Sequence, residues 1–63
     1  MKNSNDWKVE TIEGEVVLSE RFSSGKYQKI ARITSSGWLK LSRGALIDVQ
    51  QTQALLDAWS KDR

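Results

Sequence analysis

Apolar and polar residues alternate along most of the first three quarters of the chain, a pattern typical of β-strands that bury one face. Residues 7–12 (WKVETI) and 15–22 (EVVLSERF) are rich in β-branched and aromatic side chains. The Glu13-Gly14 pair between them suits a tight turn or a bulge. This stretch therefore predicts either a hairpin or one bent strand.

A strong strand pattern follows in residues 26–34 (KYQKIARIT), after a turn cluster at residues 23–25 (SSG). Strict alternation cannot bury all of its apolar side chains, because Ile30 falls on the opposite face from Ala31 and Ile33. The pattern therefore requires either a bulge within this strand or two partly buried faces.

The next apolar segment is short and follows a second Ser-Ser-Gly turn. Residues 38–41 (WLKL) alternate cleanly, so Leu39 and Leu41 share one face. Trp38 then lies on the other face. Residues 45–47 (ALI) either continue this strand after a bulge or form a short strand of their own.

An α-helix is predicted over about residues 49–60, where apolar residues recur at spacings of three and four. Asp48 suits the N-cap, and Gln51 stands three residues later as its capping-box partner. The apolar stripe that we expect to pack on the sheet consists of Val49, Thr52, Leu56 and Trp59, with Leu55 beside them. The predicted fold class is α+β, an antiparallel sheet of three to four strands within residues 7–47 followed by one C-terminal α-helix.

The length predicts a single domain over residues 1–63, with residues 1–6 expected to be disordered. A chain of this size buries only roughly 60% of the surface that its unfolded form exposes, so its core is marginal. The chain contains neither Cys nor His, and disulfides and the usual zinc ligands are therefore absent. Self-association is the remaining support, and we expect a symmetric homodimer.

The same composition argues against catalysis. His and Cys supply the commonest general base and the most nucleophilic side chain, and the serines of this chain lie mostly in turn clusters without a Gly-x-Ser-x-Gly motif. We therefore expect no enzymatic activity, no cofactor, no metal and no small-molecule substrate. No apolar run reaches the length of a membrane span, and the N-terminal residues do not resemble a signal peptide. A cytoplasmic protein without a membrane partner is expected.

The charged residues are distributed unevenly along the chain. Residues 21–47 contain six basic residues and no Asp or Glu, and they also carry three aromatic residues. Basic groups neutralise phosphates, and flat rings stack on unpaired bases. This combination predicts a binding surface for single-stranded nucleic acid, DNA or RNA, formed by Arg21, Phe22, Lys26, Tyr27, Lys29, Arg32, Trp38, Lys40 and Arg43.

Other interpretations of this segment stay open. Basic residues are common on solvent-facing strands, and Phe22 and Tyr27 are also ordinary core residues of a sheet. Trp38 would then contact a protein, as in a small interaction regulator of the phage or plasmid type that adds an exposed strand to its partner. A third interpretation is a duplex-DNA binder that lays its basic sheet on a groove.

Several short motifs, in this order, resemble the family of single-stranded-DNA-binding transcriptional coactivators typified by positive cofactor four. They are Glu20-Arg21-Phe22, Gly25-Lys26, residues 30–33 (IARI), Trp38, and residues 42–47 (SRGALI) leading into the helix. The resemblance covers roughly residues 15–60. It implies a dimer formed through the helices and neighbouring strands, which holds single-stranded DNA along its sheets with little sequence preference, in support of transcription, replication or recombination.

The resemblance also implies individual roles for the candidate residues. Phe22 and Trp38 would stack on bases. The residues that would follow the nucleic-acid backbone are Lys26, Lys29, Arg32, Lys40 and Arg43.

Overall fold

The computed structural model describes residues 6–61 and shows a four-stranded antiparallel sheet followed by one C-terminal helix. The elements are β1 (Trp7–Ile12), β2 (Glu15–Arg21), β3 (Tyr27–Ile33), β4 (Leu39–Leu41) and α1 (Val49–Lys61). The strands lie side by side in the order β1-β2-β3-β4. The predicted α+β architecture is confirmed. The expectation of disorder at residues 1–6 falls outside the described residues, apart from Asp6.

The first two strands form a hairpin and not one bent strand. Glu13 and Gly14 make its turn with φ angles of 52° and 81°, and Ile12 lies directly opposite Glu15. Two residues with positive φ match the right-handed twist of the flanking strands, which is why two-residue hairpin turns favour them. Gly14 adopts this conformation without strain because it has no Cβ.

Residues 45–47 form no strand, so both alternatives predicted for this segment are wrong. β4 ends at Leu41, and a turn follows in which the N–H of Ala45 donates to the carbonyl of Ser42 at 2.9 Å. Gly44 occupies this turn with a φ of 77°. Ala45 and Ile47 pack against the core as partly buried loop residues.

The bulge, one of the two alternatives predicted for β3, is present at Ile30. Ala31 lies opposite Leu18, whereas Lys29 lies opposite the next residue of β2, Ser19. Ile30 is therefore the extra residue, and it and Ala31 are both buried, with 7% and 4% of their surfaces exposed. A regular strand would place these neighbours on opposite faces of the sheet.

Ser42 holds the bulge from the end of β4. Its N–H donates to the carbonyl of Ile30 at 2.8 Å, and its hydroxyl donates to the carbonyl of Lys29 at 3.0 Å. Two carbonyls that the irregular register would otherwise leave to solvent thus have partners.

The core lies between the sheet and α1, and it is small. Its buried members are Val16, Leu18, Ile30, Ala31, Ile33 and Leu55. Trp7 and Trp59 are among the partly buried residues packed against this cluster. The helix, the only one among residues 6–61, is neither long nor apolar enough to cross a membrane.

The capping box predicted for the helix is formed. The backbone N–H of Gln51 donates to Oδ1 of Asp48 at 2.8 Å, and the backbone N–H of Asp48 donates to Oε1 of Gln51 at 2.9 Å. Each residue therefore satisfies a first-turn amide of the other, which fixes where the helix begins.

The predicted buried face of the helix is partly wrong. Val49 is 85% exposed and Leu56 is 49% exposed, whereas Gln51 and Leu55 are the buried helix residues. Compared with the predicted orientation, the helix is turned about its own axis so that Leu55 faces the core. Gln51 tolerates burial because its amide donates to Oε2 of Glu20 at 3.2 Å, in addition to its capping bonds.

The cap generates a first prediction. Asp48→Ala removes the carboxylate that accepts the Gln51 N–H, and it is expected to reduce the free energy of unfolding by about 1 kcal/mol. For a chain of this size that corresponds to a fall in Tm of roughly 4–8 °C. Thermal melting followed by circular dichroism measures it. Asp48→Asn keeps an acceptor and should melt close to the wild type, and equal losses in both variants would contradict the role of the cap.

An apolar groove lies between α1 and β4. It has a volume of about 130 Å³, and its lining includes Leu39 and Leu56, each roughly half exposed, above the buried Leu55. We propose that a second copy of the chain covers it. A two-fold axis places the same groove of each copy against the other, and the small core leaves the chain in need of further apolar burial.

Leu56→Lys tests this homodimer. The side chain is not part of the buried core, so the variant should fold, but a charge in the dimer contact should give a monomer in sedimentation at micromolar concentration. Gln53→Lys adds the same charge at another exposed helix position and should remain a dimer. A wild-type chain that sediments as a stable monomer would overturn the proposal.

Candidate nucleic-acid interface

The outer face of the sheet, the face that points away from α1, carries long basic side chains on all four strands. Two rows of cross-strand partners define it. One row is Lys8, Ser19 and Lys29, and the other is Glu10, Val17, Arg32 and Lys40. Arg21 and Tyr27 form a third pair on the same face.

The bulge is the reason that Lys29 and Arg32 share the outer face. Residues three positions apart in a regular strand point to opposite sides of the sheet. The extra residue at Ile30 shifts the alternation by one, so both cations lie outside while Ala31 and Ile33 remain in the core.

Val17 forms the floor of a groove between these cations. It is only 5% exposed although it lies on the outer face, where Arg32 is its cross-strand partner. We call this the cationic groove. Its volume is about 330 Å³, and its lining consists of Val17, Lys29, Ala31, Arg32, Lys40, Leu41 and Ser42.

The cations of the outer face differ in their ion pairs. Arg32 lies 3.6 Å from Glu15, Lys8 lies 3.7 Å from Glu10, and Arg21 lies 3.7 Å from Asp6. Within residues 6–61, Lys29 and Lys40 have no carboxylate within 4.0 Å. Their charges are therefore available to an anion from outside the protein.

Two exposed aromatic residues stand at opposite ends of β3. Tyr27 begins the strand and is 43% exposed, and the ammonium of Lys8 lies 4.2 Å from its ring centroid. Trp38 is 71% exposed and is held at the far end, where the carbonyl of Trp38 accepts from the N–H of Thr34 at 2.8 Å. The seven residues of β3 span roughly 20 Å between these ends.

The structure does not bring every predicted site residue into the cationic groove. Phe22 and Lys26 close the β2–β3 turn, where the Phe22 N–H donates to the Lys26 carbonyl at 2.9 Å. Phe22 lines a separate shallow groove beside Arg21. Arg43 is exposed in the turn that follows β4. The predicted set is thus divided between the outer face and the turns at its ends.

Lys8 is a member of the outer face that the sequence prediction missed. The prediction was limited to the acid-free residues 21–47. Lys8 lies in the first twenty residues, where the acidic residues are concentrated, and was therefore not considered. The alternation of β1 was the available signal: Trp7 packs against the core, so its neighbour points outward.

No protein-family model, no curated protein and no solved structure matches the chain. The resemblance to the single-stranded-DNA-binding coactivators stays a hypothesis. Across residues 6–61, no three acidic side chains come together in a way that would hold a metal ion.

Proposed function

We propose that this protein is a non-enzymatic domain that binds single-stranded nucleic acid, most simply DNA, with low sequence specificity. The observation that carries the proposal is the cationic groove, in which Lys29, Arg32 and Lys40 converge above Val17. Cations held in a row along a sheet neutralise successive phosphates and release their counterions. Support of transcription, replication or recombination is the setting that such binding suits.

The exposed rings favour an unpaired strand over a duplex. Trp38 and Tyr27 each present an aromatic surface at an end of β3, and the bases of a duplex are already stacked on one another. A single strand that follows β3 meets both rings and the cations between them.

Two carboxylates of the outer face disfavour a duplex, although Lys8 and Arg21 lie on the same two strands. Glu10 and Glu15 lie on the β1 and β2 side of the face, across from Lys40. Neighbouring strands are about 4.8 Å apart, so β1 lies roughly 10 Å from β3. The second backbone of a duplex bound at the cations would therefore approach these carboxylates.

Low specificity follows from the chemistry of the groove. Asn and Gln side chains, which read base edges by paired hydrogen bonds, are absent from its lining. Lysine ammonium groups and stacked rings contact features that all nucleotides share. Single-stranded RNA presents the same phosphates and bases, so both polymers belong in the binding experiments.

Binding to a protein partner is the alternative that the same surface supports. Trp38 is large and exposed, and β4 leaves one edge of the sheet open to a further strand. Salt distinguishes the two functions, because binding to nucleic acid weakens steeply as salt rises.

Lys29→Gln tests the cationic groove. The variant should bind oligo-dT and mixed-sequence oligonucleotides more weakly by the same factor, and the slope of log affinity against log salt should fall by about 0.7 for the lost phosphate contact. Lys61→Gln removes the same charge from the helix, away from the outer face, and serves as the control. Equal effects of the two variants would show that net charge alone controls binding.

Trp38→Ala tests the stacking contact. We expect a loss of about 1 to 3 kcal/mol in oligonucleotide binding with a nearly unchanged salt slope, since no phosphate contact is removed. Fluorescence anisotropy of a labelled oligonucleotide measures both quantities. If the variant instead melts at a lower temperature and retains its affinity, Trp38 packs in the protein or at a protein interface, and the alternative function is favoured.

A further inference from the structure

Glu15 lies on the outer face beside a cation of the groove. It begins β2, two residues before Val17, and therefore points to the same side of the sheet. Its Oε1 atom lies 3.6 Å from Nη1 of Arg32. A second groove of about 290 Å³, next to the cationic groove, is lined by Ile12, Glu13, Glu15, Val17, Lys29 and Arg32.

The contact between Glu15 and Arg32 is an ion pair without a close hydrogen bond. Its separation of 3.6 Å exceeds the 2.7–2.9 Å that is typical of charge-assisted hydrogen bonds. Both side chains are partly exposed, with 35% and 50% of their surfaces accessible, and such pairs contribute little to stability. An external anion can therefore replace the carboxylate at small cost to the fold.

A phosphate and a carboxylate compete for the same donors. The guanidinium of Arg32 offers its N–H groups to whichever anion lies in reach. Lys29 and Lys40 face no such competition from a carboxylate within residues 6–61. Of the three cations of the cationic groove, Lys29 and Lys40 are therefore available to an external anion, whereas Arg32 is paired with Glu15.

We propose that Glu15 is an internal competitor for the phosphate at Arg32 and so limits the affinity and the salt dependence of the cationic groove. The inference rests on the proposed binding of single-stranded nucleic acid and assigns a regulating residue to that site. When a strand binds, its phosphate must displace Glu15, and the released carboxylate then stands close to the nucleic-acid backbone. Part of the favourable charge contact of Arg32 is lost in this exchange.

Two substitutions of Glu15 separate contact from net charge. Glu15→Gln removes the competing charge. Glu15→Asp keeps the charge, but its side chain is shorter by one methylene group, which withdraws the carboxylate from Arg32. Asp57→Asn removes one negative charge from an exposed position on the helix and measures the effect of net charge away from the outer face.

The experiment measures the affinity of each full-length variant for a fluorescent oligo-dT over a series of salt concentrations, after circular dichroism has shown that it is folded. Glu15→Gln should bind about two- to fivefold more tightly than the wild type at low salt. Its salt slope should be steeper by up to about 0.7, because no released carboxylate then stands beside the phosphate at Arg32 and offsets its contact. Glu15→Asp should change both quantities in the same direction, by more than Asp57→Asn does.

The outcomes separate this inference from the proposed function. A wild-type protein with no salt-dependent affinity for oligo-dT would overturn both. A wild-type protein that binds, with Glu15→Asp no tighter than wild type and Glu15→Gln no different from Asp57→Asn, would overturn the role of Glu15 and leave the proposed function standing. If Glu15→Gln does not fold, the comparison of Glu15→Asp with the wild type decides the question in the same way.

Discussion

The extra residue at Ile30 is the constraint on which both faces of the sheet depend. Without it, the alternation that buries Ala31 and Ile33 would also turn Tyr27 and Lys29 toward the helix. A lysine in that position would have to enter a core that contains no carboxylate among its buried members. One inserted residue therefore keeps the core apolar and gathers the cations on the outer face.

The bulge is in turn stabilised by a residue distant in sequence. Ser42 follows β4 and bonds the carbonyls on either side of the irregular register. The position of β4 and the geometry of β3 are thus linked, and Lys40 is brought opposite Arg32 by the same pairing. The cationic groove is a product of tertiary structure even though its members lie within a short stretch of sequence.

Much of the fold was predictable because local rules and tertiary packing agree. Alternation and turn residues identified the strands, and the capping box marked the start of the helix. The buried face of the helix was not predictable from apolar spacing, since the buried amide of Gln51 donates a hydrogen bond to distant Glu20 while Val49 is left exposed. A stripe of apolar residues cannot reveal a polar residue whose partner lies 31 positions away.

Part of the candidate site was predictable from the sequence, because strand alternation shows which residues of one strand share a face. Lys29, Arg32 and Lys40 were selected by charge and meet in one groove, whereas Phe22 belongs to a turn beside a different one. The prediction considered only the acid-free segment, and Lys8 lies outside it. The sheet nevertheless places Lys8 in the same cross-strand row as Lys29, because it brings together residues from separate strands.

The two sides of the sheet have opposite chemistry, and this separation limits how the molecule can be used. The α1 side presents Leu39 and Leu56 at an apolar groove, and the outer side presents Lys29 and Lys40. The cations on the outer side attract a phosphate backbone, whereas the leucines offer it no favourable contact. A second protein copy gains from the leucines and would have to desolvate the lysines. Pairing through the α1 side would therefore leave the outer face of each copy open, so the proposed dimer and the proposed nucleic-acid binding are compatible in one small domain.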